Sequence, residues 1–87
     1  MAAPHAIHEE FPNDAARIHD LKLSDAHFAR LLAEYDQVND QVAAAESRHT
    51  PMSDEAETAL RKSRAALKDE IARMLAAARA YWSVGKT

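Results

Sequence analysis

DAHFARLLAEYDQVNDQVAAAE, residues Asp25 to Glu46, is the stretch on which the reading of this chain turns. Phe28, Leu31, Tyr35, Val38, Val42 and Ala45 follow one another at spacings of 3, 4, 3, 4 and 3. On a helix turning once every 3.6 residues, that spacing gathers them into one narrow stripe, the a/d seam of a coiled coil. A strand would need strict alternation of apolar and polar residues, and no part of the chain alternates through β-branched residues.

Downstream, Ser47-Arg48-His49-Thr50-Pro51-Met52 interrupts the seam. Pro51 lacks an amide hydrogen and forces Thr50 out of helical space. Ser53 is an N-cap residue, and Asp54, Glu55 and Glu57 lie in the first turn, where the helix dipole favours acids. The helix that follows carries Leu60, Leu67, Ile71, Met74, Ala78 and Tyr81 at the same spacing, with Arg64 between the first two, and stops before Gly85.

Folded back about Pro51, the two helices set Val42 against Leu60, Tyr35 against Leu67, Leu31 against Ile71 and Phe28 against Met74. Leu21 then meets Tyr81, which extends the same seam. Val38 faces Arg64, whose stem can lie along the seam while its guanidinium reaches Asp36, Asp40 or solvent. Glu34 falls opposite Lys68. Residues 1–44 hold eight acids and three bases and residues 45–87 six acids and eight bases, so an acidic helix lies on a basic one.

Upstream, Asn13 follows Pro12 and precedes Asp14, a start signal for a short helix through Ile18 and Leu21. A second cap signal at Ser24-Asp25 predicts a kink or break near Leu23, a continuous helix being the alternative. Met1 to Pro12 has two prolines and no periodicity, and reads as a flexible arm. The fold expected is all-α: an antiparallel, coiled-coil-like helical hairpin with a short additional N-terminal helix. Its helices run over about 13–22, 25–47 and 53–82, between an arm at 1–12 and a tail at 83–87.

Composition narrows function. The chain has 87 residues, 47% of them apolar, but 20 are alanine, so few large side chains remain to build a core. A chain this short buries a modest share of its surface. It is therefore expected to complete its core as a homo-oligomer or on a protein partner, and it leaves no room for an enclosed catalytic cavity or an evident small-molecule substrate. With no cysteine there is neither a disulfide framework nor a thiolate. A net charge of −3 argues against general nucleic-acid binding. No signal peptide is legible at the start. The longest nearly apolar stretch, Met74 to Trp82, is too short to cross a bilayer, so a cytoplasmic location is expected.

HEEFPNDAARIHDLKLSDAHFARLLAEYDQVNDQVAAAE followed by SDEAETALRKSRAALKDEIARML resembles the small bacterial YdcH-like family, a domain of unknown function. The resemblance runs from about His8 to Leu75. It rests most on Asp25, His27-Phe28, Leu31, Glu34-Tyr35, Val38-Asn39, Glu46 and Leu67-Lys68-Asp69-Glu70-Ile71. It implies a short helical, coiled-coil-like protein without an assigned activity. It supplies no reaction, and it does not extend to Ala76–Thr87.

Candidate chemistry is sparse. His5 and His8 sit beside Glu9 and Glu10, but a metal centre needs a third well-placed ligand, so no metal or cofactor is expected. His27 opens the long helix next to Ser24 and Asp25, an adjacency that falls short of a catalytic triad. Gly85-Lys86-Thr87 imitates the end of a P-loop without its earlier glycine or following helix. Arg61, Lys62, Arg64 and Lys68 form a basic stripe, the alternative basis for a nucleic-acid-associated accessory role. Leu32 and Leu75 lie off the seam among Ala29, Ala33, Ala43, Ala72 and Ala76, and Tyr81-Trp82 ends the last helix. Leu32, Leu75, Tyr81 and Trp82 are read as a partner face. The function expected is that of a small interaction or scaffold protein, not an enzyme.

Overall fold

The computed structural model describes residues 5–48 and 51–85, the side chains as far as residue 80. Four helices follow in order: α1 (Ile7–Glu10), α2 (Ala15–Ser24), α3 (Ala26–Glu46) and α4 (Asp54–Gly85), with a 3₁₀ turn at Pro12–Asp14 between the first two. There is no strand among the described residues.

Each boundary has a local cause. Asp25 leaves helical space at φ −131°, ψ 106°, and its carboxylate accepts from the amides of His27 and Phe28 at 2.9 and 3.1 Å. That satisfies two of the amides a helix start leaves without partners. The break expected near Leu23 is therefore present and falls at Asp25. α3 ends through Ser47 and Arg48, whose amides return to the carbonyls of Ala43 and Ala45. Arg48 takes the left-handed conformation, φ 67°, that glycine usually supplies at a helix end. Ser53 caps α4, its Oγ accepting from the Ala56 amide at 3.1 Å.

α3 and α4 form the antiparallel hairpin. Three cross-helix pairs mark its length: Glu46 with Arg61 near the turn, Asn39 with Arg64 midway, and His27 with Glu70 at the far end. Of the seam, Phe28, Tyr35 and Ile71 are wholly buried and Leu31 and Val42 nearly so, while Val38, Leu60, Leu67 and Met74 are half-buried. Each fully buried large side chain contributes roughly 1.5–3 kcal/mol.

The largest departure from expectation is at the N-terminus. Residues 5–12 are not a loose arm: Ile7 is 7% exposed and belongs to the core, and Phe11 packs against it. Together with Ile18 and Leu21 of α2, they cover the face of the hairpin that carries Leu32 and Leu75. Leu32 and Leu75, expected at a partner face, are buried within the chain itself, Leu75 completely. The physical reason is that three packed layers widen the buried stripe of α3 and α4 beyond the two-helix seam. The side chains of Tyr81 and Trp82 lie outside the described residues.

Polar pairings differ as well. Lys68 reaches Glu10 rather than Glu34, because the N-terminal segment comes within 3.4 Å of it. Arg64 donates to the buried Asn39 Oδ1 at 3.0 Å rather than reaching Asp36 or Asp40. Asn13 does not cap α2. Asp14 holds that position, and it turns its carboxylate to arginines instead of the backbone.

Candidate functional site

Two faces of the hairpin have distinct characters. On the covered face, a small polar network fastens the N-terminal segment. His5 stands in the left-handed region, φ 67°, and its carbonyl accepts the Tyr35 hydroxyl at 2.5 Å. Its Nδ1 meets Glu10 Oε1 at 3.0 Å, and Glu10 meets Lys68. The hydrogen bond from His5, joined by Lys68, holds the Glu10 carboxyl below the usual range despite the opposing effect of burial. Burial, with Glu10 nearby, pushes the Tyr35 hydroxyl pKa up.

A second fastening is at Asp14, 6% exposed, which pairs with Arg17 on α2 and with Arg79 on α4 at 3.4 Å. A buried carboxylate is tolerated when it is paired and hydrogen-bonded. This node ties the start of α2 to the far half of α4.

Beside the N-terminal segment, a groove of about 440 Å³ lies between Ile7, His8, Lys22, Leu32, Asp36 and Asp40. Burial there, reinforced by Asp40, raises the pKa of Asp36, opposed by Lys22 and His8. The two histidines weighed and set aside as metal ligands point apart: His5 faces Glu10, and His8 lines this groove. Among the described residues, no group of three or more His, Asp or Glu side chains is placed to hold a metal ion.

His27 does not build a relay. Its Nε2 meets Glu70 Oε2 at 2.9 Å on the surface, while Ser24 Oγ donates to the Asp20 carbonyl and Asp25 caps the backbone. The basic stripe is largely engaged within the chain. Arg61 pairs with Glu46 and Glu57, Arg64 with Asn39, and Lys68 with Glu10. Its Arg61 guanidinium pKa is raised, first by the Glu46 hydrogen bond. A phosphate backbone would have to displace those partners.

The opposite face of the hairpin is open. There a shallow groove of about 460 Å³ runs between α3 and α4, lined by the partly buried Val38 and Leu67 together with the exposed Ala66, Glu34, Gln37, Gln41 and Ser63. Val38 and Leu67, both seam residues, are only partly buried here, and among the described residues no element lies over this groove. No helix among the described residues is long and apolar enough to cross a membrane.

The family model described as "Protein of unknown function (DUF465)" matches residues 28–75. The chain belongs to the DUF465 family. The match begins at Phe28, just inside α3, and ends at Leu75 in α4, so the DUF465 region is the hairpin with its turn. The N-terminal segment that covers one face of the hairpin lies outside it. Within the DUF465 region fall the buried Phe28, Tyr35, Ile71 and Leu75 and the whole open groove. Comparison of the chain with curated proteins and with solved structures gives no match.

Sequence reasoning missed three features: the Tyr35–His5 bond, the Asp14 node and the role of Ile7 and Phe11. Only the last had a signal, since Ile7 and Phe11 stand four apart and so share one helical face.

Proposed function

We propose that this chain is a small helical interaction module that works by binding another protein chain along the open face of its hairpin, with no reaction of its own. The observation that carries the reading is the uncovered seam. Val38 and Leu67 belong to the a/d stripe that the sequence dedicates to helix packing, yet they are only partly buried and line a groove that no described element covers. Apolar residues rimmed by neutral polar ones, Gln37, Gln41 and Ser63, suit a helix laid into the groove. Charged rims would add specificity, and Glu34 at the edge supplies one such contact.

The nucleic-acid reading is not favoured by any single observation, because three of the four stripe cations already have partners. The test is capture on immobilised full-length chain at moderate salt, with absolute mass of the eluted complex. The control is Val38→Asp, a charge placed in the groove. Retention of a protein, either the same chain or another, that is lost with Val38→Asp supports the reading. Equal retention by both, or no protein retained by either, contradicts it.

A further inference from the structure

We infer that the N-terminal segment, residues 5–24, is an exchangeable element that swings about Asp25 and docks on a second copy of this chain. It then makes in trans the contacts it makes here in cis. The inference concerns the covered face of the hairpin and goes beyond the reading of the open groove, which stands or falls separately.

The hinge is a single residue. α2 runs into Asp25, whose amide still reaches the Leu21 carbonyl at 2.8 Å, and Asp25's own carbonyl already accepts the Ala29 amide at 3.0 Å. Only the amides between them depart from the helical ladder. Two of those, at His27 and Phe28, are held by the Asp25 side chain. If Asp25 became helical, the amides of residues 26, 27 and 28 would regain the carbonyls of Lys22, Leu23 and Ser24 in their place. No proline or glycine lies between Pro12 and Pro51 to forbid this. The local exchange is close to balanced, two cap bonds against three ladder bonds.

The straightened form is also matched in length. Joining α2, of 10 residues, through Asp25 to α3, of 21, gives a helix as long as α4, which has 32. Straightening takes α2 off the Leu32–Leu75 face of its own chain. Its cost would be the uncovering of Leu32, Leu75 and their neighbours, which Ile7, Phe11, Ile18 and Leu21 now cover. A second copy's residues 5–24 are the one partner whose fit to that surface is already displayed. The Glu10–Lys68 and Asp14–Arg79 pairs and the Tyr35–His5 bond would re-form between chains. Exchange of an identical element is a low-cost route to a dimer, because the contacts remade are the ones already present.

Leu23 points the same way. It is 74% exposed, the only large hydrophobic side chain so exposed among the described residues, and it lies two positions from the hinge. Its place beside the hinge is where exchanged chains cross, so a second copy would offer it cover.

The test compares full-length chains in solution by sedimentation over a wide concentration range. Asp25→Ala removes the cap and favours the continuous helix. Ala26→Pro fixes the break, because proline suits the first helical position and holds the residue before it extended. Leu23→Ser alters only an exposed residue. The wild type is expected to show a doubled mass at high concentration. Asp25→Ala dimerises at about tenfold lower concentration or less, and Ala26→Pro and Leu23→Ser dimerise more weakly than wild type.

A carbodiimide joins Glu10 directly to Lys68. In an equimolar mixture of ordinary and nitrogen-15-labelled Asp25→Ala chains, about half of the linked peptides are expected to join a labelled to an unlabelled peptide, whereas links within one chain give none. Dimers whose Glu10–Lys68 link stays within one chain overturn the exchange and leave the contact reading standing. A monomer at every concentration overturns the exchange too, and then capture of a different protein alone sustains that reading.

Discussion

The hydroxyl of Tyr35, in the middle of the buried seam, donates a 2.5 Å hydrogen bond to the carbonyl of His5, thirty residues earlier in the chain. Tyr35 is wholly buried, so its hydroxyl needs a partner, and the N-terminal segment provides it. One bond thereby links the hairpin's central packing residue to the segment that lies over it. Tyr35→Phe keeps the ring and removes the donor. It is expected to lower stability by about 1 kcal/mol and to speed amide exchange in residues 7–11 more than in α4. Uniform change across both regions would show that the bond does not fasten the segment.

Acid should loosen the same fastening. The Glu10 carboxyl has a lowered pKa in the folded chain, first through His5 and then through Lys68. A group depressed on folding stabilises above its unfolded pKa, and that stabilisation is lost as the pH falls through the folded value. Between about pH 5 and 3 the wild type should therefore lose more thermal stability than Glu10→Gln, by about 1–3 °C. Parallel melting curves for the two chains over that window would contradict the assignment.

Asp36 carries the opposite sign. Burial and the neighbouring Asp40 raise its pKa, so its charged form is disfavoured in the folded chain. Stability linked to this group is present below the unfolded carboxylate range and is lost as pH rises through the folded value. Asp36→Asn is expected to raise Tm by about 1–3 °C at pH 7, discounted for the solvent around this side chain. Below about pH 3.5 the gain should vanish. A gain independent of pH would point away from charge.

Arg48 stands in the left-handed region at the end of α3. A side chain with Cβ is strained there by about 1 kcal/mol relative to glycine. Arg48→Gly should raise Tm by a few degrees without moving the position of the turn. A lower Tm would mean that the glycine's added freedom in the unfolded chain outweighs the relieved strain.

The hairpin was legible because its information is local and repeated. The spacing from Phe28 to Ala45, Pro51 in the turn and the Ser53 cap each act on a few neighbouring residues. The break at Asp25 was legible for the same reason. The packing of residues 5–14 was barely so, because its one signal is the four-residue spacing of Ile7 and Phe11, a single interval between two prolines. Leu32 and Leu75 were assigned outward because a seam drawn for two helices leaves them off the stripe, whereas a third layer brings them in. Charge partners were the least legible. Lys68 and Arg64 chose among several acids and amides by proximity in three dimensions, and Asp14 met Arg79 from the other end of the chain. The open groove was half legible: Val38 and Leu67 were placed on the seam, but only the packing shows which seam residues stay uncovered.

The central claim, that the open α3–α4 face is a protein-binding surface, is tested most directly by a photo-reactive side chain at Gln41, exposed on the rim of that groove. A matched probe at Glu9, exposed on the covered side, serves as the reference. Irradiation in the cells that make the protein is predicted to give discrete protein adducts from position 41 that Val38→Asp abolishes and that position 9 does not share. The same adducts from both positions, or none from position 41, would contradict the account.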